Sequence, residues 1–108
     1  EYVKTVFAKV TAYTPGPESC GDSADGRTSI MKNAWRMNGV ATDPRAVPYG
    51  SLLEIPEIGL KEVDDTGGAM RRSWDLGVYH FDVRFLRPGD ARVWGIRWVP
   101  VKVYRKKS

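Results

Sequence analysis

Acid–base chemistry in this 108-residue chain is to be sought among its carboxylates, because the sequence offers little else that reacts. One histidine, one cysteine and no acidic residues at the spacing of a calcium loop leave no recognisable set of metal ligands. Cys20 and His80 are the one possible thiol–imidazole pair, and Cys20 lies among loop residues with no activating neighbour. Asp22 and Asp25 read as loop-capping residues. That leaves Asp43, Asp64, Asp65, Asp75, Asp82 and Asp90. Three of them stand out. Asp43 precedes Pro44 at the end of an extended VATDP segment. Asp65 opens D-T-G-G, whose glycines permit close backbone approach and offer N–H groups to an oxygen-rich ligand. Asp82 interrupts an alternating apolar run, and aspartate is depleted in strand interiors.

The elements that must position these acids are mostly strands. Residues 3–13 alternate, with Val6, Ala8, Val10 and Ala12 on one face and Lys9 and Thr11 on the other. TPGPESCGDSADGRTS follows as a long loop of a length that is usually functional. MKNAWRMNG reads as a short helix or an irregular stretch stopped by Gly39. A turn is expected at Val47-Pro48-Tyr49-Gly50, a strand over SLLEI ended by Pro56, and a short strand and turn over EVDDTGG. The cleanest strand is GVYHFDVRF, 77–85. Tyr79, Phe81, Val83 and Phe85 share one face; Val78, His80, Asp82 and Arg84 share the other. RPGDARVWG reads as a short helix, and IRWVPVKVY as a last alternating strand with Val99, Val101 and Val103 aligned. About six short strands with one or two minor helices imply a small, mostly β barrel forming one domain.

The bulk properties narrow the partners. A net charge of +4, much of it in Lys102, Arg105, Lys106 and Lys107, favours an anionic partner: nucleic acid, a membrane surface or a wall polymer. Aromatics do not alternate with the basic residues as a stacking platform for single-stranded nucleic acid requires. No run approaches the roughly 20 apolar residues of a membrane span. A lone cysteine forms no internal disulfide. The chain begins at Glu1, as a trimmed or mature form would, so a missing signal peptide says nothing about export.

Taken in order, TAYTPGPESCG, VATDPRAVPYGS, DDTGGAM, and DVRF followed by ARVWGIRWVPVKV resemble the three-aspartate (3D) domain. This is the catalytic barrel of membrane-bound lytic transglycosylase A and of small stationary-phase muralytic proteins. The resemblance runs from about Val10 to Tyr104 and implies a six-stranded double-psi β-barrel. It assigns the three aspartates to Asp43, Asp65 and Asp82. The gap after D-T-G-G is longer here than in the family, and Asp75 in WDLG is the rival third aspartate. The strand around Asp82, and its distance from Trp94-Gly95, decide for Asp82, with Arg71 to Val78 read as a lengthened hairpin loop. Arg71 and Arg72 stand where the family often has Lys-Gly, and its I-T-A-S-G stretch is hard to find near Arg27 to Met31.

The resemblance implies a peptidoglycan lytic transglycosylase. One acid, Asp82, protonates the oxygen joining N-acetylmuramic acid to N-acetylglucosamine. Its carboxylate then takes the muramyl C6 hydroxyl proton as a 1,6-anhydro ring closes. Such an acid needs a pKa about two to three units above the ordinary aspartate value, through burial and a neighbouring anion, here Asp65. Arg84 on the same strand face would oppose this, so it is expected to point away from Asp82, into solvent or toward substrate. Tyr13, Thr14, Asp43, Thr66, Gly67 and His80 are the expected substrate contacts. Trp35 and Trp74 either stack on sugars or pack in the core. The expected partner is a peptidoglycan glycan strand, not nucleic acid; the expected location is outside the cytoplasm; no cofactor or metal is expected. A non-catalytic polysaccharide-binding barrel of the expansin kind, and less readily a basic nucleic-acid-binding module, are the alternatives.

Overall fold

The computed structural model describes residues 1–14, 39–85 and 88–105. Residues 31–38 of the expected helix and 15–29 of the loop before it lie outside those residues, as do Cys20, Asp22, Asp25, Trp35, Lys106 and Lys107. Six strands close into a barrel: β1 (Tyr2–Tyr13), β2 (Gly39–Ala41), β3 (Leu52–Ile55), β4 (Gly59–Asp65), β5 (Tyr79–Arg84) and β6 (Arg97–Tyr104). They run around it in the order β1-β5-β2-β4-β3-β6, with β1–β5 and β2–β4 parallel. Closure pairs every strand on both sides and removes exposed sheet edges.

Alternation in the sequence becomes the inside and outside of this barrel. Val6, Ala8 and Val10 of β1, Phe81 and Val83 of β5, and Val101 and Val103 of β6 fill the interior with Val40, Leu53, Ile55 and Val63. Tyr79, Phe85 and Val99 pack against that cluster. Pro56 ends β3, and the chain turns back through Glu57 and Gly59, both at positive φ. Two helices follow their strands: α1 (Gly68–Asp75) after β4 and α2 (Pro88–Trp94) after β5. The buried Trp94 indole of α2 donates to the Val10 carbonyl at 3.1 Å, which pins that helix to β1.

Helix α1 corrects the sequence reading, which had a hairpin loop over Arg71 to Val78. A-M-R-R-S-W-D contains no glycine, proline or β-branched residue, so nothing in it resists helix formation once Gly67-Gly68 have turned the chain. Gly77, at φ 79°, follows the helix end. Met70 is the helix's buried anchor, and a Cβ on Gly67 would stand 2.7 Å from its methyl group. Helix α1 lies against β5, and this contact shapes the site.

A second local feature matters as much. Val40 pairs with Val63, but the next residue of β2, Ala41, pairs with Asp65. The skipped residue, Asp64, marks a β-bulge-type register shift, which sets a buried acid and the half-buried Asp65 side by side next to β2.

Candidate active site

Asp82 occupies the centre of a four-strand row. It pairs with Thr11 of β1 on one side and Ala41 of β2 on the other, and Ala41 in turn pairs with Asp65 of β4. The Cα atoms of Asp82 and Asp65 are thus two strand spacings apart, about 10 Å. Only an alanine methyl stands in the row between them. Burial pushes the Asp82 carboxyl up to about 6; the Thr11 hydroxyl, donating to Oδ1 at 2.9 Å, pulls it down, and the Asp65 charge pushes it up again. Asp65 accepts the backbone N–H of Thr66 at 2.8 Å.

Arg84 does point away from Asp82, but neither into solvent nor toward an open groove. Its Nη2 donates to Oδ1 and Oδ2 of Asp64 at 2.6 and 2.5 Å, and both side chains are buried. The guanidinium crosses β2 over Gly39, where a Cβ would fall 1.1 Å from Nη2. Pairing is what makes a buried cation tolerable, so Asp64 takes the charge that would otherwise act fully on Asp82.

Tyr13, next to Arg84 in the β1–β5 register, has a buried phenol oxygen with no hydrogen-bond partner among the described residues. Burial raises its pKa well above the ordinary tyrosine value; Arg84 opposes this, while Asp65, Asp82 and Asp64 add to it, so the phenol stays neutral. Because no bond to a described residue is lost, Tyr13→Phe should change unfolding free energy by less than about 1 kcal/mol in urea denaturation. A loss well beyond that would reveal a hydrogen bond that the phenol makes.

The other expected contacts fall at different depths. His80 is buried behind Asp82: its Nε2 lies 2.9 Å from Thr11 Oγ1 and its Nδ1 3.0 Å from Ser73 Oγ of α1. Thr14 is buried at the end of β1, and Thr66 and Gly67 are half-buried at the entry to α1. Asp43 is buried beneath its turn. Its carboxylate accepts the Arg45 backbone N–H and guanidinium at 2.5–2.8 Å, and its carbonyl accepts the N–H groups of Ala46 and Val47. Arg45 holds that carboxyl below the ordinary aspartate range. Asp75, the rival third aspartate, sits at the exposed end of α1 and binds Arg45 at 3.0 Å. Trp74 packs on Tyr79, ring centroids 5.1 Å apart.

Asp82, Asp65, Tyr13 and His80 are therefore brought together, while Asp43 serves the neighbouring turn. Sequence reasoning missed Thr11, Ser73 and Asp64. Thr11 was legible as a polar residue on the outer face of β1, but Ser73 and Asp64 depend on a helix and a bulge that local pattern did not disclose. Among the described residues no three potential ligands are grouped to hold a metal ion, and no helix is long and apolar enough to cross a membrane.

No family model matches the chain. It is 30% identical over 101 residues to YabE of Bacillus subtilis (strain 168), whose name assigns it to cell wall shaping; the match covers 93% of this chain and 23% of YabE. It is 29% identical over 103 residues to the cell wall-binding protein YocH of the same organism, covering 95% of this chain and 33% of YocH. The chain thus spans about a quarter to a third of the length of these curated relatives.

Proposed function

We propose that the chain works on the bacterial cell wall, outside the cytoplasm, as a peptidoglycan lytic transglycosylase in which Asp82 is both acid and base. The observation that carries this reading is the environment of Asp82. It is a partly buried carboxyl group, beside a second acid, with the nearby cation engaged elsewhere, so it keeps its proton up to about pH 6. The similarity to cell wall shaping and binding proteins supplies the substrate class.

In this mechanism protonated Asp82 gives its proton to the glycosidic oxygen as the bond to the muramyl C1 breaks. The carboxylate so formed accepts the C6 hydroxyl proton while C6–O attacks C1. The sugar closes its own 1,6-anhydro ring, and Asp82 ends as it began. Two carboxylates acting on a water are not needed. Asp65 keeps the acid poised, and Tyr13, Thr14, Thr66 and Gly67 line the sugar-binding side. Asp43 braces the adjoining turn through Arg45.

Digestion of purified sacculi followed by mass spectrometry of the fragments tests this. Anhydro-muramyl ends support the proposal; new reducing ends would replace it with hydrolysis, and intact sacculi would exclude cleavage. The pH dependence gives a second check. Since the acid form starts the reaction, kcat/KM should fall tenfold per pH unit above about pH 6. Asp65→Asn should move that fall to lower pH, because it removes an anion that disfavours ionisation of Asp82. An unmoved profile would remove Asp65 from the mechanism.

A wall-binding role without turnover is the second reading. YocH's name favours it, and so does an exposed aromatic pair on the outer face of β1 and β6. Phe7 and Trp98 are 64% and 51% exposed, with rings 6.0 Å apart and 24° from parallel, a flat surface of the kind on which sugar rings stack. Sedimentation with sacculi that remain uncleaved would select it.

A further inference from the structure

Three side chains behind Asp82 form a continuous hydrogen-bond chain from α1 to the acid. Ser73 Oγ lies 3.0 Å from His80 Nδ1, His80 Nε2 lies 2.9 Å from Thr11 Oγ1, and Thr11 Oγ1 lies 2.9 Å from Asp82 Oδ1. Each hydroxyl has one proton and a neutral imidazole has one, so donation can run in two directions only. In the outward direction Ser73 donates to Nδ1, Nε2–H donates to Thr11, and Thr11 donates to Oδ1. In the inward direction a proton on Oδ1 is donated to Thr11, Thr11 donates to Nε2, and Nδ1–H donates to Ser73 Oγ or to a second acceptor. The backbone carbonyl of Ala69, one turn before Ser73, lies against the ring and is that second acceptor.

We propose that Ser73, His80 and Thr11 are positioning residues that keep this chain in its outward direction, so that the exchangeable proton of Asp82 resides on Oδ2. Thr11 occupies Oδ1 whether or not Asp82 is ionised, and Oδ2 is left to meet the glycosidic oxygen. Without Ser73 nothing donates to Nδ1. Protonation of Asp82 would then reverse the chain, turning its proton inward onto Oδ1. Among the described residues, few groups face the pair. Lys9 pairs with His80 in the β1–β5 register, Thr42 Oγ1 donates to the His80 carbonyl at 2.7 Å, and Asp65 and Tyr13 face Asp82. Burial and the Lys9 charge both lower the His80 pKa, with the Ala69 carbonyl opposing, and the net shift favours the neutral ring that the chain requires. Ser73 belongs to α1, which stands where the sequence reading had only a lengthened loop.

The inference rests on the acid–base reading of Asp82, but its direct test needs no substrate. Nitrogen-15 NMR of the His80 ring reports the tautomer, and carbon-13 NMR of the Asp82 carboxyl reports its ionisation. In the wild-type protein His80 should keep its proton on Nε2 on both sides of the Asp82 titration. In Ser73→Ala the proton should move to Nδ1 as Asp82 becomes protonated, and Ser73→Thr should restore the wild-type behaviour. A wild-type tautomer that switches, or a Ser73→Ala ring that matches the wild type, overturns the proposal. If sacculi are cleaved, Ser73→Ala should lower kcat about tenfold at unchanged KM; unchanged kcat would overturn the positioning role even with the tautomer as expected. Intact sacculi with the expected tautomers would count against the transglycosylase reading alone.

Discussion

Asp82→Asn should release no anhydro-muropeptides and yet unfold less readily than the wild type above pH 6. The loss follows from removing the only proton carrier in the proposed mechanism, and should be at least 10²-fold, of the order measured for general acids. The gain follows from linkage. A carboxyl whose pKa rises from 3.8 unfolded to about 6 folded binds protons more strongly in the native state. Stability therefore falls as pH rises from about 4 to 6, then stays at the lower value. The asparagine carries no such penalty, and its amide oxygen can still accept from Thr11. The shift corresponds to at most about 3 kcal/mol, and residual water at this partly exposed site reduces that to about 1–3 kcal/mol. Chemical denaturation at pH 4 and pH 8 reads it directly. The variant should gain at pH 8 and match the wild type near pH 4; a variant destabilised at pH 8 would show that the Asp82 charge is not under strain.

The largest expected loss of stability lies one strand pair away. Arg84→Met leaves Asp64 as a buried charge without its guanidinium, and such changes cost about 3–5 kcal/mol. Gly39→Ala should be of similar size although it adds only a methyl group. That methyl would occupy the position of Nη2 and displace the arginine from the pair. Urea denaturation of each variant measures the losses. In a background already carrying Asp64→Ala and Arg84→Ala, Gly39→Ala should cost less than about 1 kcal/mol, because its obstacle is gone. Equal cost in both backgrounds would mean that the strand itself requires glycine there. Against a domain stability of about 5–15 kcal/mol, either single change removes a large share.

The parts of the molecule governed by local periodicity were legible from the chain alone. The period of two in β1, β5 and β6 placed Val10, Phe81 and Val101 inside, and with them Asp82 outside. Pro56 and the Val47–Gly50 turn marked breaks that the structure also has. Helix α1 was missed because only Met70 of its eight residues is buried, which leaves almost no apolar stripe to read. Comparison with a shorter family loop then favoured an irregular segment. The destination of Arg84 was illegible for a different reason. It depends on a missing side chain at Gly39 and an inserted residue at Asp64, which come into contact only when β2 lies between β4 and β5. The resemblance places Asp43 among the substrate contacts; that its carboxylate meets Arg45, two residues on, is a contact no local pattern disclosed.

The pH at which Asp82 itself ionises is the most direct test of the account. Carbon-13 NMR titration of its side-chain carboxyl in the free protein should give a midpoint near 6. A midpoint near 4, where ordinary aspartates titrate, would leave the proposed acid unprotonated at neutral pH and contradict the mechanism at its first step.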